Sequence, residues 1–313
     1  PVRASLADRL LPAWLNNPEL VPLGEHGSRI PYALRAARRA LAAHPECEAI
    51  VVNADPYAAC LVGARLRHET GLPLLIDLRD PWAPCELRRP RRPAPIRALV
   101  DRLERYAVTA ADRVILNTEH AWRDYRAHYA DVFDAATLDA KFSWIRNHVD
   151  ADLIDGPLAA AAAPPEFDRF TILFLGNFGR FIRADPLIEA LAALRRLGAR
   201  PEDLQLVVTG RFPADAWQRA RALGVDAFVR LHAFVPPQQT AAMMRAADLL
   251  MLILQPGVQQ RVPAKFYDYL AVPRPVVGVG DGAELAALLR DSGAGELLGW
   301  GDPAGLVAAL ARR

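Results

Sequence analysis

The chain has 313 residues, 52% of them hydrophobic, enough for two domains or one large one. Its 38 basic and 36 acidic residues nearly cancel to a net charge of +2, which excludes the lopsided charge of a general nucleic-acid binder. No apolar run reaches the roughly 18–20 residues of a membrane span, and the first fifteen residues lack a signal-peptide core. Cys47, Cys60 and Cys85 are odd in number and far apart, so neither a zinc site nor a disulfide framework is indicated. A reducing, cytoplasmic setting is the default expectation. Lysine occurs only at 141 and 265; nearly all other positive charge is arginine.

The first 45 residues read as helical and loop-rich, with a helical pattern over 30–44 that turns Arg35, Arg38 and Arg39 outward. Alternation then sets in. Residues 49–53 read as a buried strand, 56–70 as a helix, 72–78 as a strand stopped by Arg79-Asp80-Pro81, and 94–111 as a long amphipathic helix. A strand over 113–117, a helix over 119–129 and a strand over 142–146 follow. This order predicts a parallel sheet with helices on both faces. The run GPLAAAAAPP at 156–165 has no apolar periodicity and reads as a linker between domains at 1–155 and 166–313. Alternation restarts with strands at 170–175, 204–209, 227–231, 249–254 and 276–279. The intervening helices are at 184–197, 213–223 and 236–246, one follows Pro263, and two more lie at 284–289 and 303–311. The expected class is α/β, in two halves of ordinary domain size.

Ligands of open parallel sheets bind outside the carboxyl ends of the strands, so the loops after strands carry the candidates. The segment ADLLMLILQPGVQQRVPAKFYDYLAVPRPVVGV, from Ala247 to Val279, reads as strand, polar loop, helix and strand. Pro263 suits the first turn of its helix. Phe266 and Leu270 share one helical face, expected to be the core face, and Lys265 and Asp268 share a neighbouring one. A lysine near a helix start can join backbone N–H groups in holding a phosphate, and a carboxylate one turn on can accept from the two hydroxyls of a ribose. The same spacing also describes an ordinary surface ion pair. Gly176-Asn177-Phe178-Gly179-Arg180 follows the strand at 170–175, where glycines admit a close approach and Arg180 can bind phosphate oxygens; Arg183 is a second candidate. Gly210-Arg211 lies at the same edge. In the first half, Asp77, Arg79 and Asp80 cluster where a strand ends, within GLPLLIDLRDPWAP. They suit hydroxyl recognition or stabilisation of a cationic transition state, or alternatively a self-satisfied loop network.

The 247–279 segment resembles the donor-binding segment of family-four-type glycosyltransferases of the GT-B fold, and GLPLLIDLRDPWAP resembles a signature of a bacterial subgroup of that family. Two shorter stretches, Ala111–Ile115 and Ser143–Asp150, resemble other family segments, although His148 stands where a glycine is usual. The resemblance implies two Rossmann-like parallel-sheet domains facing a cleft. It implies transfer of a sugar from a nucleotide-sugar to a saccharide or lipid-linked acceptor, retaining and without a cofactor or catalytic metal. Lys265 and Arg180 then face the donor phosphates beside Gly176, Asn177 and Arg211. Asp268 holds the ribose, Phe234 and Val235 line the base pocket, and Asp77, Arg79 and Asp80 meet sugar or acceptor. Two departures stand out: Asp268 replaces the usual Glu, and Gln260 occupies a position that is often acidic. No strand with a glycine loop precedes Ile50, so the opening unit of such a domain is expected to be missing. An epimerase or hydrolase of the same fold, and a non-catalytic nucleotide-sugar-binding subunit, are the alternative readings.

Three further stretches are weighed. Arg88, Arg89, Arg91, Arg92 and Arg97 form a basic stretch before an amphipathic helix, which reads either as a solvated loop or as a contact for anionic lipid head groups that would make the protein membrane-peripheral. Gly278-Val279-Gly280-Asp281-Gly282-Ala283 fits the G-x-G-x-x-A dinucleotide fingerprint, but too little chain follows it, and a glycine-rich turn into a helix is the simpler account. Asp150-Ala151-Asp152 can in principle ligate a cation, yet its place at the interdomain turn reads as structural. His232 alone reads as a structural histidine.

Overall fold

The computed structural model describes residues 23–152, 156, 165–179, 182–232 and 235–312. The chain divides into two compact units, Pro1–Arg146 and Asn147–Arg313. Of the expected linker at 156–165, only Gly156 and Pro165 are among the described residues.

The first unit holds a parallel sheet in the order β1-β2-β3-β4, formed by β1 (Ile50–Ala54), β2 (Leu74–Leu78), β3 (Arg113–Leu116) and β4 (Phe142–Trp144). Its helices are α1 (Ile30–Ala43), α2 (Ala58–Thr70), α3 (Ala94–Ala110), α4 (Glu119–His128) and α5 (Ala135–Lys141). Thr118 caps α4 by accepting from Ala121 N at 3.1 Å, and Asp134 caps α5 by accepting from Thr137 N at 2.7 Å. Alternate strand residues Ile50, Val52, Leu74, Ile76, Leu78, Val114 and Leu116 pack with α2, α3 and α4 in one core. Strands that follow one another in space as in sequence, joined by right-handed crossovers, put every connecting helix on the same face. Among the described residues no helix covers the opposite face, where helices on both sides are expected: Val51 is 70% exposed, Asn53 and Arg113 are exposed, and Leu75, Asp77 and Ile115 are half-buried.

The second unit holds a six-stranded parallel sheet in the order β10-β9-β8-β5-β6-β7. Its strands are β5 (Phe170–Leu175), β6 (Leu204–Thr209), β7 (Val229–His232), β8 (Leu249–Ile253), β9 (Val276–Val279) and β10 (Gly295–Leu298). Its helices are α6 (Asp185–Arg196), α7 (Ala214–Ala222), α8 (Pro237–Ala246), α9 (Ala264–Leu270), α10 (Ala283–Asp291) and α11 (Pro303–Ala311). Two cores flank this sheet. Ile172, Phe174, Leu206, Val208, Met251 and Ile253 point into one with α6, α7 and α11. Leu173, Leu175, Val207, Leu250 and Leu252 point into the other with α8, α9 and α10. Strands buried on both faces explain the unbroken apolar runs in the sequence. The order reverses between β5 and β8, which makes their carboxyl ends the switch point of the sheet.

Candidate functional site: the β5–β8 switch point and the Arg79–Ala83 loop

β5 and β8 pair only at Ile172 with Leu249 and Leu173 with Leu250. Beyond that the strands part, and the Tyr269 hydroxyl of α9 bridges them. It accepts from Leu175 N at 3.3 Å and donates to Met251 O at 3.3 Å. Fully buried Phe266 and Tyr269 fix α9 against the sheet. Truncating a buried aromatic of this kind to alanine costs about 3–5 kcal/mol. The expected core position Leu270 is 40% exposed, because the buried face runs through Phe266, Tyr267 and Tyr269. Pro263 stands one residue before the helix, at its N-cap.

With α9 fixed, Lys265 reaches back over the end of β5. Its Nζ donates to Leu175 O and sits 4.6 Å from the centroid of the Phe174 ring. Gly176 makes this possible: its φ is +133°, and a Cβ there would lie 2.6 Å from Lys265 Nζ. Burial pulls the Lys265 ammonium down to about 8, against the opposing pull of Asp268. Burial likewise raises the Asp268 carboxyl, and Lys265 opposes that shift. The surface ion-pair alternative does not describe this lysine, whose ammonium is held by a strand-end carbonyl and an aromatic face.

Neighbouring loops close on the same edge. Gly176 N donates to Thr209 O at 3.0 Å, Phe178 N to Arg211 O at 2.9 Å, and Arg211 N to Asn177 Oδ1 at 2.8 Å. Gly210, at φ +140°, passes so close that a side chain would strike the Gly176 carbonyl. Gly176, Asn177, Arg211 and Lys265 thus converge at the ends of β5 and β6, with Asp268 on the following turn of α9. Val235 packs against the core that holds Phe266. Arg180 and Phe234 lie outside the described residues. The glycine-rich turn after β9 is absorbed structurally: Asp281 Oδ2 accepts from Gly257 N at 3.0 Å, and Gln259 Oε1 accepts from Ala283 N at 3.0 Å.

In the first unit, Asp77 projects from β2 on the face away from the core. Arg79 Nε and Nη2 both donate to its Oδ2, at 2.9 and 2.6 Å. Asp77 Oδ1 is buried and has no hydrogen-bond partner among the described residues. The loop network is therefore only partly self-satisfied, and a buried acceptor stays open to a donor.

The backbone that follows is held by side chains from four directions. Tyr57 Oη donates to Asp80 O at 3.2 Å and Pro81 O at 3.0 Å. Trp82 N donates to Tyr125 Oη at 2.8 Å, and Arg92 Nη1 donates to Trp82 O at 3.1 Å. Ala83 N donates to Glu104 Oε2 at 2.7 Å, and Arg89 Nη1 donates to Ala83 O at 3.3 Å. Fully buried Trp82 stacks on Tyr57 with centroids 5.1 Å apart. Glu104 also accepts from Tyr125 at 2.8 Å and Tyr129 at 3.0 Å, and burial pushes its carboxyl up to about 7. Sequence reasoning missed Tyr57, Glu104, Tyr125 and Tyr269; no local pattern marks them, because each acts on backbone far away in sequence.

This network takes up much of the arginine-rich stretch. Arg88 donates to Tyr57 Oη at 2.5 Å, Arg89 pairs with Asp101 at 2.5 Å, Arg92 is buried, and Arg97 donates to Arg92 O at 3.1 Å. These four guanidiniums are spent on the loop and its neighbours, and Arg91 alone of the five is exposed. Among the described residues no helix is long and apolar enough to cross a membrane.

Comparison with known proteins bears on the fold. Residues 169–313 match the model of the family described as Glycosyl transferases group 1. No curated protein matches the sequence. Among solved structures, a sucrose-phosphate synthase from Thermosynechococcus elongatus is 18% identical with a TM-score of 0.65, over 92% of this chain and 69% of that one. The Anabaena protein HepE in complex with UDP is 17% identical with a TM-score of 0.61, over 90% and 71%. An α,α-trehalose-phosphate synthase (UDP-forming) from Burkholderia vietnamiensis is 17% identical with a TM-score of 0.60, over 92% and 69%. The likeness to these structures shows the fold, an α/β chain of two Rossmann-like units with parallel sheets, and the similarity to Glycosyl transferases group 1 covers residues 169–313.

Proposed function

We propose that this protein transfers a glycosyl group from a nucleotide-sugar donor to a saccharide or lipid-linked acceptor, with retention at the anomeric carbon and without a catalytic metal or cofactor at the donor site. The observation that carries this reading is Lys265, poised at the β5–β8 switch point over a glycine that leaves the approach open. In this reading Lys265 and Arg180 meet the diphosphate beside Gly176, Asn177 and Arg211. Asp268 holds the ribose, Phe234 and Val235 line the base pocket, and Asp77, Arg79 and Asp80 meet sugar or acceptor. The bond between the anomeric carbon and the β-phosphate oxygen breaks, and its electron pair leaves with the diphosphate, stabilised by the cations. The acceptor oxygen bonds the anomeric carbon from the same side and passes its proton to the departing phosphate oxygen.

A uridine diphosphate sugar is the first donor to test, because UDP is the nucleotide bound in the HepE structure of like fold. The setting proposed is cytoplasmic. A peripheral membrane contact through the arginine-rich stretch narrows to Arg91, and one basic residue adds only about 1 kcal/mol at an anionic surface. The test is a thermal-shift panel of UDP-, GDP-, ADP- and TDP-sugars on the wild type and on a Lys265→Ala/Asp268→Ala variant. A ligand at about 100 times its Kd stabilises by roughly 2.7 kcal/mol. Stabilisation by one nucleotide class, lost in the variant, is expected; no stabilisation by any, or a shift the variant keeps, sinks the proposal. Turnover only in the presence of an acceptor separates transfer from epimerisation or hydrolysis.

A further inference from the structure

A second cluster of chemistry-bearing side chains lies in the first unit and belongs to neither candidate site. One donor atom each from Glu86, His120 and Asp124 lie within 4.8 Å of one another. His120 and Asp124 stand one turn apart on α4, with His120 Nε2 3.8 Å from Asp124 Oδ2. Glu86 comes from the turn after the Arg79–Ala83 loop. All three side chains are half-buried, neither sealed in the core nor waving in solvent.

We propose that Glu86, His120 and Asp124 form a site for a borderline divalent cation of the zinc or cobalt type. One imidazole nitrogen with two carboxylate oxygens suits such ions, whereas calcium and magnesium prefer oxygen alone. Metal–ligand distances of about 2.0–2.2 Å put bound donor atoms roughly 3–4 Å apart, close to the spacing within 4.8 Å seen here. A dication offsets two carboxylates held side by side. Three protein ligands leave coordination positions for water or an oxygen ligand, the pattern of an exchangeable rather than a closed structural site.

The scaffold argues for a prepared site rather than a chance encounter on the surface. Tyr125, next to Asp124, takes the hydrogen bond of Trp82 N and donates to Glu104, while Glu104 holds Ala83 N. Cys85 O accepts from the N–H groups of Arg88 and Arg89, which fixes the turn that carries Glu86. Thr118 caps the helix that carries the other two ligands. The same buried network therefore sets the spacing between Glu86 and α4, as a metal site requires of the residues behind its ligands.

The test uses the full chain stripped with a chelator. Cobalt(II) is titrated by its visible absorption and zinc(II) by calorimetry, on the wild type and on Glu86→Gln, His120→Ala and Asp124→Asn. Cys47→Ser serves as a control, because Cys47 is an exposed thiol that can capture zinc by itself. The expected result is one equivalent bound, at least tenfold weaker in each of the three ligand variants and unchanged in the control. The three substitutions are on half-buried positions, and unchanged circular dichroism shows that the fold is kept. Absence of binding at millimolar cation, binding that survives His120→Ala, or binding lost only in Cys47→Ser overturns the proposal.

Discussion

At the scale of single residues, the second unit turns on one lysine and the glycine beneath it. Lys265 is held by Leu175 O and the Phe174 ring, and burial has already lowered its ammonium to about 8. A diphosphate arriving there favours the charged form, so binding is expected to raise that value and draw a proton from solvent near pH 8.5. Calorimetry of UDP binding at that pH, in two buffers of different ionisation enthalpy, reads the uptake directly. Lys265→Ala is expected to abolish it and weaken binding by roughly ten- to a hundredfold, the worth of about 1.5–3 kcal/mol for hydrogen bonds to charged groups. Equal heats in both buffers for the wild type would mean that the lysine does not meet the nucleotide. The spacing of Lys265 and Asp268 is visible in the sequence, but the spacing alone favours an ordinary ion pair. What sets this lysine apart from a solvated surface pair is its seat on Phe174 and Leu175, ninety residues earlier, and a helical wheel carries no such information.

At the scale of elements, the loop from Arg79 to Ala83 shows how a short signature is held in place. The sequence marks its charges and its place after a strand. It does not mark the clamp, because Tyr57, Glu104 and Tyr125 lie 21 to 43 residues from the groups they bind. The same blindness made Arg88, Arg89 and Arg92 look like surface charge. A buried carboxylate at the centre of such a network has a measurable signature. Glu104 is pushed up to about 7 against 4.5, because desolvation outweighs its three donors. The folded state therefore holds this proton more tightly than the unfolded chain. Its contribution is most favourable below pH 4.5 and is lost as pH rises toward 7, about 3 kcal/mol in all. Glu104→Gln cannot ionise, so the stability of wild type minus that of the variant is expected to fall by about that amount between pH 4.5 and 7. Urea unfolding at a series of pH values checks it, and a pH-independent difference would refute the assignment.

At the scale of the whole molecule, the two sheets show what strand alternation can and cannot tell. The pattern of strands and helices predicts parallel sheets, and both are parallel. It does not tell in which direction the winding runs. Among the described residues the first sheet advances β1 to β4 without reversal and keeps its connecting helices on one face, whereas the second reverses between β5 and β8 and buries both. Where the direction changes, neighbouring strands send their connections to opposite sides, and a crevice opens between their ends. The nucleotide site of the proposed activity follows from that reversal, and the first sheet has none among the described residues. Hydrogen exchange read by mass spectrometry, with and without saturating UDP, tests this at the level of the fold. Protection is expected to rise at the carboxyl ends of β5 and β6 and along α9, while β1 to β4 exchange as before. Ligand stabilisation appears in the amides whose opening breaks the site. In Lys265→Ala at the same UDP concentration the gain is expected to shrink with the loss of occupancy. Protection that rises on β1 to β4 and not at the β5–β8 crevice would move the nucleotide to the other unit and take the proposed roles of Lys265 and Asp268 with it.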